Sequence, residues 1–280
     1  MSHFPNATRR SASIPRRLLR EGKSYLLPIY GLMLTSDLAR EGIRHSGSFR
    51  FADHVYRNRP SGRFGVGYLL DAALLHFPAA RSMRSRYLHS RDQIVAEVRR
   101  RAATDAGEIR VVSVPCGIAR ELVEAAERLD SESAAVAARV RYYGIDLDRE
   151  PLDLSRQLAG DRADCTFIQG DAFDGAAYPG GADVIVSTGL VDFLDDADAG
   201  RLYASCLYAL RAGGLLVTSA QQPQRIADYL MRELAELTPC YRDADGITAV
   251  VRSAGFVDIS AAPDHVGYQT LVTARTPAAP

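Results

Sequence analysis

The sequence predicts an α/β protein with a mainly parallel sheet of seven strands, an antiparallel last strand and an N-terminal helical cap. From residue 109 onwards, short apolar strands alternate with amphipathic helices, a pattern typical of a parallel sheet covered on both faces. Before residue 105 there is no strand alternation, and apolar residues recur at helical spacing instead. We therefore expect three parts: a flexible basic arm over 1–22, a helical cap over 23–104 that binds the substrate, and an α/β domain over 105–280.

Composition restricts the class of protein. No apolar run approaches the roughly 20 residues that a membrane span requires. The four cysteines are widely spaced, without a CxxC pair or a Cys/His cluster, which indicates reduced thiols and no metal site. We therefore expect a cytoplasmic protein that needs no metal and does not associate with a membrane.

Charge is unevenly distributed along the chain. Residues 1–101 carry 19 Lys and Arg against 7 Asp and Glu, whereas the remainder carries 15 against 27. A basic segment of this kind can bind nucleic acid, or it can dock on the acidic part of the same chain or of a second copy in a homodimer. Arginine outnumbers lysine 33 to 1, which indicates codon bias and weakens the argument for nucleic acid.

The elements of the cap follow from apolar spacing and from the residues that begin and end helices. Ser36 is a candidate cap inside the first helical stretch, and Pro78 ends the third. The sequence predicts helices over 26–44, 51–56, 66–77 and 79–101.

The elements of the α/β domain follow from short apolar runs and the helical patterns between them. The turn at Pro263 and Asp264 predicts that the last two strands form a hairpin, so that the final strand is antiparallel. The predicted strands are 109–114, 139–145, 165–169, 183–187, 214–219, 256–260 and 268–274, and the predicted helices are 120–130, 149–159, 197–211, 222–237 and 246–254.

Candidate site residues follow the strands, because ligands of parallel α/β sheets bind at the carboxyl ends of the strands. Asp146 follows the second strand, where a carboxylate can accept hydrogen bonds from both ribose hydroxyls. Asp171 and Phe173 follow the third strand and suit the amine and the ring of adenine. The turn after the first strand is neither GxGxxG nor a P-loop, which favours a nucleoside cofactor without phosphates.

Five segments in order resemble class I S-adenosylmethionine-dependent methyltransferases over residues 109–274: VVSVPCGIARE, YYGIDLD, FIQGDAFD, ADVIVSTGLVDFL and LRAGGLLVTS. The resemblance implies a Rossmann-like fold, S-adenosyl-L-methionine as cofactor and S-adenosyl-L-homocysteine as product. Parts of these segments also resemble a bacterial subgroup that acts on fatty acids and natural products. There are two departures: Ser113 stands where the family has an acid, and Pro115 and Ala119 stand where it has glycines.

The resemblance also implies a role for each matching position. The methionine part would lie at 113–117, the ribose at Asp146 and the sulfonium near 187–189. The implied cofactor-binding residues are Ser113, Pro115, Cys116, Gly117, Asp146, Leu147, Asp171, Ala172, Phe173, Ser187, Thr188 and Gly189.

The cap suggests the kind of acceptor. Its apolar residues favour a small hydrophobic or aromatic molecule, such as an indole, a phenol or an acyl chain of natural-product metabolism, methylated on carbon, oxygen or nitrogen. His54 and Tyr56 are the candidate catalytic residues, because a base is needed when the acceptor loses a proton. Tyr25, Tyr30 and Asp192 are candidate substrate contacts.

The sequence allows other functions as well. The basic segment allows an RNA methyltransferase, although no RNA-binding module and no Asn/Asp-Pro-Pro-Tyr motif is recognisable. The altered glycine turn allows a non-catalytic interaction protein on a degenerate Rossmann fold. The missing glycines disfavour a NAD-dependent oxidoreductase.

Overall fold

A computed structural model describes residues 13–45 and 47–278 of the chain. The chain divides into two compact units. One, which we call the helical unit, comprises the described residues up to Arg84 together with Pro223–Pro239; the other, the sheet unit, comprises Ser85–Gln222 and the residues from Cys240 onwards. The boundary thus differs from the one we expected at residue 105, and 223–239, which we had assigned to the α/β domain, belongs to the helical unit.

The sheet unit is built on one sheet of seven strands in the order β3-β2-β1-β4-β5-β7-β6. The last strand is antiparallel to both of its neighbours, and the pairs among β1 to β5 are parallel. The predicted fold class is therefore confirmed. The strands are β1 (Ile109–Ser113), β2 (Val140–Asp146), β3 (Cys165–Gln169), β4 (Ala182–Ser187), β5 (Leu210–Gln221), β6 (Val257–Pro263) and β7 (Gln269–Arg275).

Helices cover both faces of this sheet. One apolar core joins the sheet to α10 and α12, and a second core on the other face joins it to the C-terminal part of α6, to α7 and to α9. This layering explains why the central strands β1 and β4 are almost entirely buried. The helices of the sheet unit are α6 (Pro78–Thr104, from residue 85 on), α7 (Arg120–Glu132), α8 (Ala134–Ala137), α9 (Arg149–Ala159), α10 (Asp196–Ala209) and α12 (Ala244–Ser253).

The helical unit has its own small cores. The predicted helix over 26–44 is two helices, and Ser36 begins the second by accepting a hydrogen bond from the amide of Ala39 at 3.0 Å. In one core Leu18 and Leu26 pack against Leu234 of the segment that sequence reasoning had placed elsewhere. The helices are α1 (Ile14–Arg20), α2 (Leu27–Met33), α3 (Asp37–Arg44), α4 (Phe49–Arg57), α5 (Val66–His76), the first residues of α6, and α11 (Arg225–Ala235).

The expected arm over 1–22 needs a correction. Residues 1–12 lie outside the described residues, but α1 is an ordered helix whose Ile14 and Leu18 are buried. Part of its charge is also compensated, because Arg17 pairs with Glu233 of α11 and with Glu236, the residue that follows α11. Apolar residues at helical spacing, rather than the density of arginine, determine the structure of this segment. No helix among the described residues is long and apolar enough to cross a membrane.

Candidate functional site

The turn after β1 is fastened to the end of β2 by backbone hydrogen bonds. The amide of Cys116 donates to the carbonyl of Ile145 at 2.8 Å, and the amide of Gly117 donates to Asp146 Oδ2 at 2.9 Å. Gly117 has a φ of 51°, a conformation that favours glycine and leaves the backbone open to close approach. Burial raises the pKa of the Cys116 thiol, so this side chain stays neutral. The turn therefore presents backbone rather than a nucleophile.

Asp146 is the last residue of β2 and is 9% exposed. Besides the amide of Gly117, its carboxylate accepts the amide of Asp148 on Oδ1 at 3.1 Å. Burial raises the pKa of Asp146, while the two backbone hydrogen bonds act in the opposite direction. Each carboxylate oxygen can accept two hydrogen bonds, so one lone pair on each is left for a further donor. Two vicinal hydroxyls of a ribose supply that pair of donors.

The residues after β3 form a tight turn on the same edge of the sheet. Asp171 Oδ1 accepts the amide of Phe173 at 2.9 Å, which leaves its second oxygen for another donor. The ring of Phe173 is half-buried against the core, and the guanidinium of Arg201 lies 5.3 Å from the ring centroid. The carbonyl of Ala172 accepts the hydroxyl of Tyr178 at 2.6 Å, so this carbonyl is already engaged within the protein.

Leu147 lies next to Asp146 and exposes its side chain. Its carbonyl accepts the side-chain amide of Gln169, the last residue of β3, at 3.0 Å. This bond holds the backbone between the two acids, and the apolar side chain of Leu147 lies at the surface there. An exposed leucine in this position suits contact with the adenosine, as the resemblance implies.

The end of β4 carries a buried hydroxyl that has no hydrogen-bond partner among the described residues. Ser187 Oγ is that group, whereas the carbonyl of Ser187 accepts Thr218 Oγ1 at 2.6 Å. Thr188 follows half-buried, and Gly189 has a φ of 89°. Because an unsatisfied buried polar group is costly, the Ser187 hydroxyl is a candidate for contact with a ligand.

Two charged residues that sequence reasoning missed lie beside this edge. Glu121 of α7 is 7% exposed, and its Oε1 accepts the hydroxyl of Ser113 at 2.6 Å. Arg86 of α6 is also buried, and its Nη1 lies 3.2 Å from Asp192 Oδ2. The sequence held a signal for Glu121, since an acid at this position of α7 falls on the apolar face that packs on the sheet.

Asp192, which we expected to contact the substrate, is engaged within the protein. It is 3% exposed, its Oδ2 pairs with Arg86, and its Oδ1 accepts the amide of Gln221 at 2.9 Å. Its backbone carbonyl also accepts the amide of Cys240 at 2.6 Å. These bonds make Asp192 an anchor of the segment after β4, and its side chain does not support the expected substrate contact.

The remaining candidates lie in the helical unit. His54 Nε2 lies 2.8 Å from Oδ2 of the buried Asp71. Tyr56 is half-buried in the small core of α3, α4 and α5, and Tyr30 packs half-buried against the core that contains Leu18. Tyr25 is exposed, and its hydroxyl lies 2.7 Å from that of Tyr229. Of these residues, His54 has the environment of a positioned base.

Comparison with known proteins identifies the family. Residues 33–276 match the model of a family described as "Putative methyltransferase". The chain belongs to this methyltransferase family. Together, the family and the fold make it a class I enzyme that uses S-adenosylmethionine. No curated protein matches the chain.

Solved structures share the fold of this methyltransferase. A possible exported protein from Bordetella parapertussis superposes with a TM-score of 0.74 at 23% identity, covering 99% of this chain and 100% of that one. Magnesium protoporphyrin IX methyltransferase from Synechocystis PCC 6803, with bound S-adenosylhomocysteine, superposes with a TM-score of 0.54 at 14% identity. The match covers 80% of this chain and 93% of that one. The S-adenosylmethionine-dependent methyltransferase SibL superposes with a TM-score of 0.54 at 16% identity, and the match covers 96% of this chain and 79% of that one.

Proposed function

We propose that the enzyme transfers the methyl group of S-adenosylmethionine to a small hydrophobic or aromatic acceptor of natural-product metabolism, of the indole, phenol or acyl type. The observation that carries this proposal is the distribution of exposed apolar side chains. Among the described residues, ten of the fourteen exposed large hydrophobic side chains lie in the helical unit, although it is the smaller of the two. They include Ile29, Leu32, Tyr68, Leu69 and Phe77.

This distribution argues for an apolar ligand, because exposed apolar side chains concentrated on one part of a soluble protein mark a binding surface. The segment 64–69 is the richest: Phe64, Val66, Tyr68 and Leu69 are all exposed. Val66, Tyr68 and Leu69 belong to the first turns of α5, which is a largely apolar helix. An aromatic or acyl acceptor gains about 25 cal/mol for each Å² of apolar surface that it removes from water.

The edge of the sheet supports the cofactor assignment. Asp146 keeps a lone pair on each oxygen for the ribose hydroxyls, and Asp171 keeps one oxygen for the amine of adenine. Gly117 offers backbone without a side chain, and the buried Ser187 hydroxyl has no partner among the described residues. S-adenosylmethionine brings an electrophilic methyl group on a sulfonium, so the protein itself needs no nucleophile. The residues position the reactants and exclude water.

His54 is the residue we assign to proton removal from the acceptor. Asp71 accepts four hydrogen bonds, and its pKa lies below the usual value, because these bonds outweigh the effect of burial, which acts in the opposite direction. An ionised carboxylate only accepts hydrogen bonds, so Nε2 of His54 is the nitrogen that donates to it. In the neutral ring the lone pair then lies on Nδ1, which is the atom we propose as the base.

The alternative of an RNA methyltransferase is less well supported, because acids of the same unit offset much of the basic charge. Arg17 and Lys23 pair with Glu233, Arg91 pairs with Glu124, and Arg99 pairs with Glu132. Ion pairs of this kind leave less charge for phosphate groups. The sequence-based alternative of docking on acidic residues of the same chain agrees with these pairs. A homodimer and a cytoplasmic location stay predictions.

The proposed function is tested with candidate acceptor molecules. Purified enzyme is incubated with S-adenosylmethionine and a panel of indoles, phenols and acyl compounds, and methylated products are detected by mass spectrometry. For an acceptor that is turned over, Leu69→Ser is expected to raise KM by about 10-fold, in line with the loss of a buried apolar contact. Tyr208→Ser, which changes an exposed residue of the sheet unit, is the matched control and is expected to leave KM unchanged. An unchanged KM in Leu69→Ser, or turnover of RNA alone, would contradict the proposal.

A further inference from the structure

The end of the loop after α4 and the first turn of α5 present four large apolar side chains to solvent. We call this segment, residues 64–69, the apolar tip. Phe64 is 86% exposed, and Val66, Tyr68 and Leu69 are exposed as well. Large apolar side chains are mostly buried in folded proteins, so a cluster of exposed ones in so short a segment marks an interaction surface.

The backbone of this loop is held in place by other parts of the helical unit. The amide of Arg63 donates to the carbonyl of Thr35 at 2.9 Å, and the amide of Ser61 donates to Asp71 Oδ2 at 3.1 Å. Phe64 follows with a φ of 58°, a left-handed conformation that is unusual for a bulky residue. Because such strain persists only where the surrounding structure maintains it, the loop holds the Phe64 ring in its exposed position at a cost in stability.

Arginines accompany the apolar tip along the chain. Residues 54–70 include Arg57, Arg59 and Arg63 and contain no Asp or Glu. All three arginines are exposed. Arg57 lies 3.9 Å from Asp53, whereas Arg59 and Arg63 form no ion pair with a described residue. The loop therefore brings two uncompensated positive charges to the surface beside the apolar tip.

Acids of neighbouring elements do not neutralise these two charges at the surface. Asp37 accepts the hydroxyl of Ser61 but pairs with Arg40 of its own helix. Asp71 is completely buried, and one of its oxygens lies 2.8 Å from His54 Nε2. The exposed charge beside the apolar tip is therefore positive.

We propose that the apolar tip docks on an anionic lipid surface, with Phe64 and Leu69 among the acyl chains and Arg59 and Arg63 at the headgroups. Apolar side chains beside arginines match the two layers of such a surface, because the acyl region takes up apolar groups and anionic headgroups attract cations. Arginine suits the boundary, since its stem is apolar and its end is charged. The aliphatic side chains of Val66 and Leu69 favour lipid over single-stranded RNA, which stacks its bases on aromatic rings.

This contact goes beyond the proposed function, because the partner is a surface and neither cofactor nor acceptor takes part. A lipid surface would also be a source of an apolar acceptor. The sequence-based expectation of no membrane association considered only a spanning segment, which a surface contact does not need. The proposed function uses Leu69 as an acceptor contact, so the experiment relies on Phe64 and on the arginines.

A single tryptophan can report on insertion, because the chain contains none. Phe64→Trp is mixed with vesicles of phosphatidylcholine that contain about 30% phosphatidylglycerol, without cofactor or acceptor. We expect its emission to shift to shorter wavelength and to be quenched by brominated lipid, since the indole leaves water for the acyl region. Tyr208→Trp, at a residue of the sheet unit that is 79% exposed, is the matched control and should show neither effect.

Vesicle sedimentation separates the apolar from the electrostatic part of the contact. Phe64→Gly is expected to weaken binding by about 10-fold or more, as the loss of a buried aromatic side chain does, and to keep the thermal stability of the wild type, because glycine tolerates a positive φ. Arg59→Gln and Arg63→Gln should each weaken binding to the anionic vesicles by about 5-fold and leave binding to pure phosphatidylcholine within about 2-fold. Arg149→Gln, at an exposed arginine of α9, is the control for charge.

The outcomes distinguish a lipid surface from other partners. An emission of Phe64→Trp that does not respond to anionic vesicles, or an equal response of Tyr208→Trp, would overturn the proposal. A shift that needs no vesicles and grows with protein concentration would assign the apolar tip to contact between two copies of the chain. A shift on addition of single-stranded RNA that also displaces the vesicles would assign it to nucleic acid. Both results contradict the proposal.

These measurements are independent of the test of the proposed function. If no acceptor of the panel is methylated but the vesicle results are as expected, the proposed function is wrong and the lipid contact stands. If acceptors are methylated but the wild type does not bind anionic vesicles, the lipid contact alone is wrong.

Discussion

His54 Nε2 lies 2.8 Å from Asp71 Oδ2, and the Asp71 side chain is completely buried. The same carboxylate accepts the hydroxyl of Ser36 at 2.6 Å and the amides of Leu38 at 2.8 Å and Ser61 at 3.1 Å. These four bonds connect the beginning of α3, α4, the loop after α4 and α5. Asp71 therefore organises the helical unit and at the same time fixes the ring of His54.

Removing this imidazole tests its role as a base. For an acceptor that loses a proton, His54→Ala is expected to lower kcat by about 100-fold or more, the usual contribution of a positioned base. Binding of S-adenosylhomocysteine should not change. His76→Ala is the matched control, because His76 is exposed and its ring hydrogen-bonds to the carbonyl of Ala72 in its own helix. Rates measured with a saturating acceptor decide the matter, and an unchanged kcat in His54→Ala would refute the assignment.

Gly67 shows how closely α5 packs on the residue before Ser36. A Cβ on Gly67 would lie 2.2 Å from the carbonyl oxygen of Thr35, which is backbone and cannot rotate away. Gly67→Ala is therefore expected to lower the free energy of unfolding by about 1–3 kcal/mol, as overpacking does. Gly31 lies in α2 with open space around it, so Gly31→Ala should raise the free energy of unfolding by about 0.5–1 kcal/mol. Urea denaturation of both variants measures the difference, and equal stabilities would contradict this account.

Local patterns in the sequence predict most of the sheet unit. The seven strands and their helices lie within a few residues of the predicted bounds, because the alternation of apolar strands and amphipathic helices is strong there. One local error is β5, which begins at Leu210 inside the predicted helix 197–211. The acids at the ends of β2 and β3 were also found this way, since their place depends only on where each strand ends.

Pairing between distant segments is what the sequence does not predict. The partner of Glu121 lies 8 residues away and those of Asp71 lie 10 to 35 residues away, and no local periodicity specifies such bonds. The membership of α11 in the helical unit depends in the same way on apolar contacts of Leu234 with α1. One signal was available, however: Asp71 is an acid inside the otherwise apolar α5, and a buried acid requires partners.

Glu97 predicts a dependence of stability on pH. Burial acts to raise its pKa, but pairs with Arg100 and Arg275 outweigh this and lower the pKa to about 2. Because the folded value lies below the ordinary 4.5, the stabilisation is fully present above pH 4.5 and is lost as pH falls towards 2. Glu97→Gln is expected to lower the free energy of unfolding at pH 7 by about 3 kcal/mol.

The difference between the wild type and Glu97→Gln should therefore shrink as pH falls below 4.5, which denaturation series at several pH values can follow. Glu127→Gln, at an exposed position of α7, is the control and should change stability little at any pH. A difference for Glu97→Gln that stays constant down to pH 3 would show that its loss acts through packing rather than through charge.

Binding of S-adenosylhomocysteine to Asp146→Asn, compared with the wild type and with Asp148→Asn, tests the central claim most directly. Asp146 keeps a lone pair on each oxygen for the ribose, whereas Asp148 begins α9 without a side-chain cap and is exposed. By calorimetry, we expect the wild type and Asp148→Asn to bind with similar affinity and Asp146→Asn to bind about 100-fold more weakly, or ~3 kcal/mol. Undiminished affinity in Asp146→Asn, or no binding by the wild type, would contradict the account.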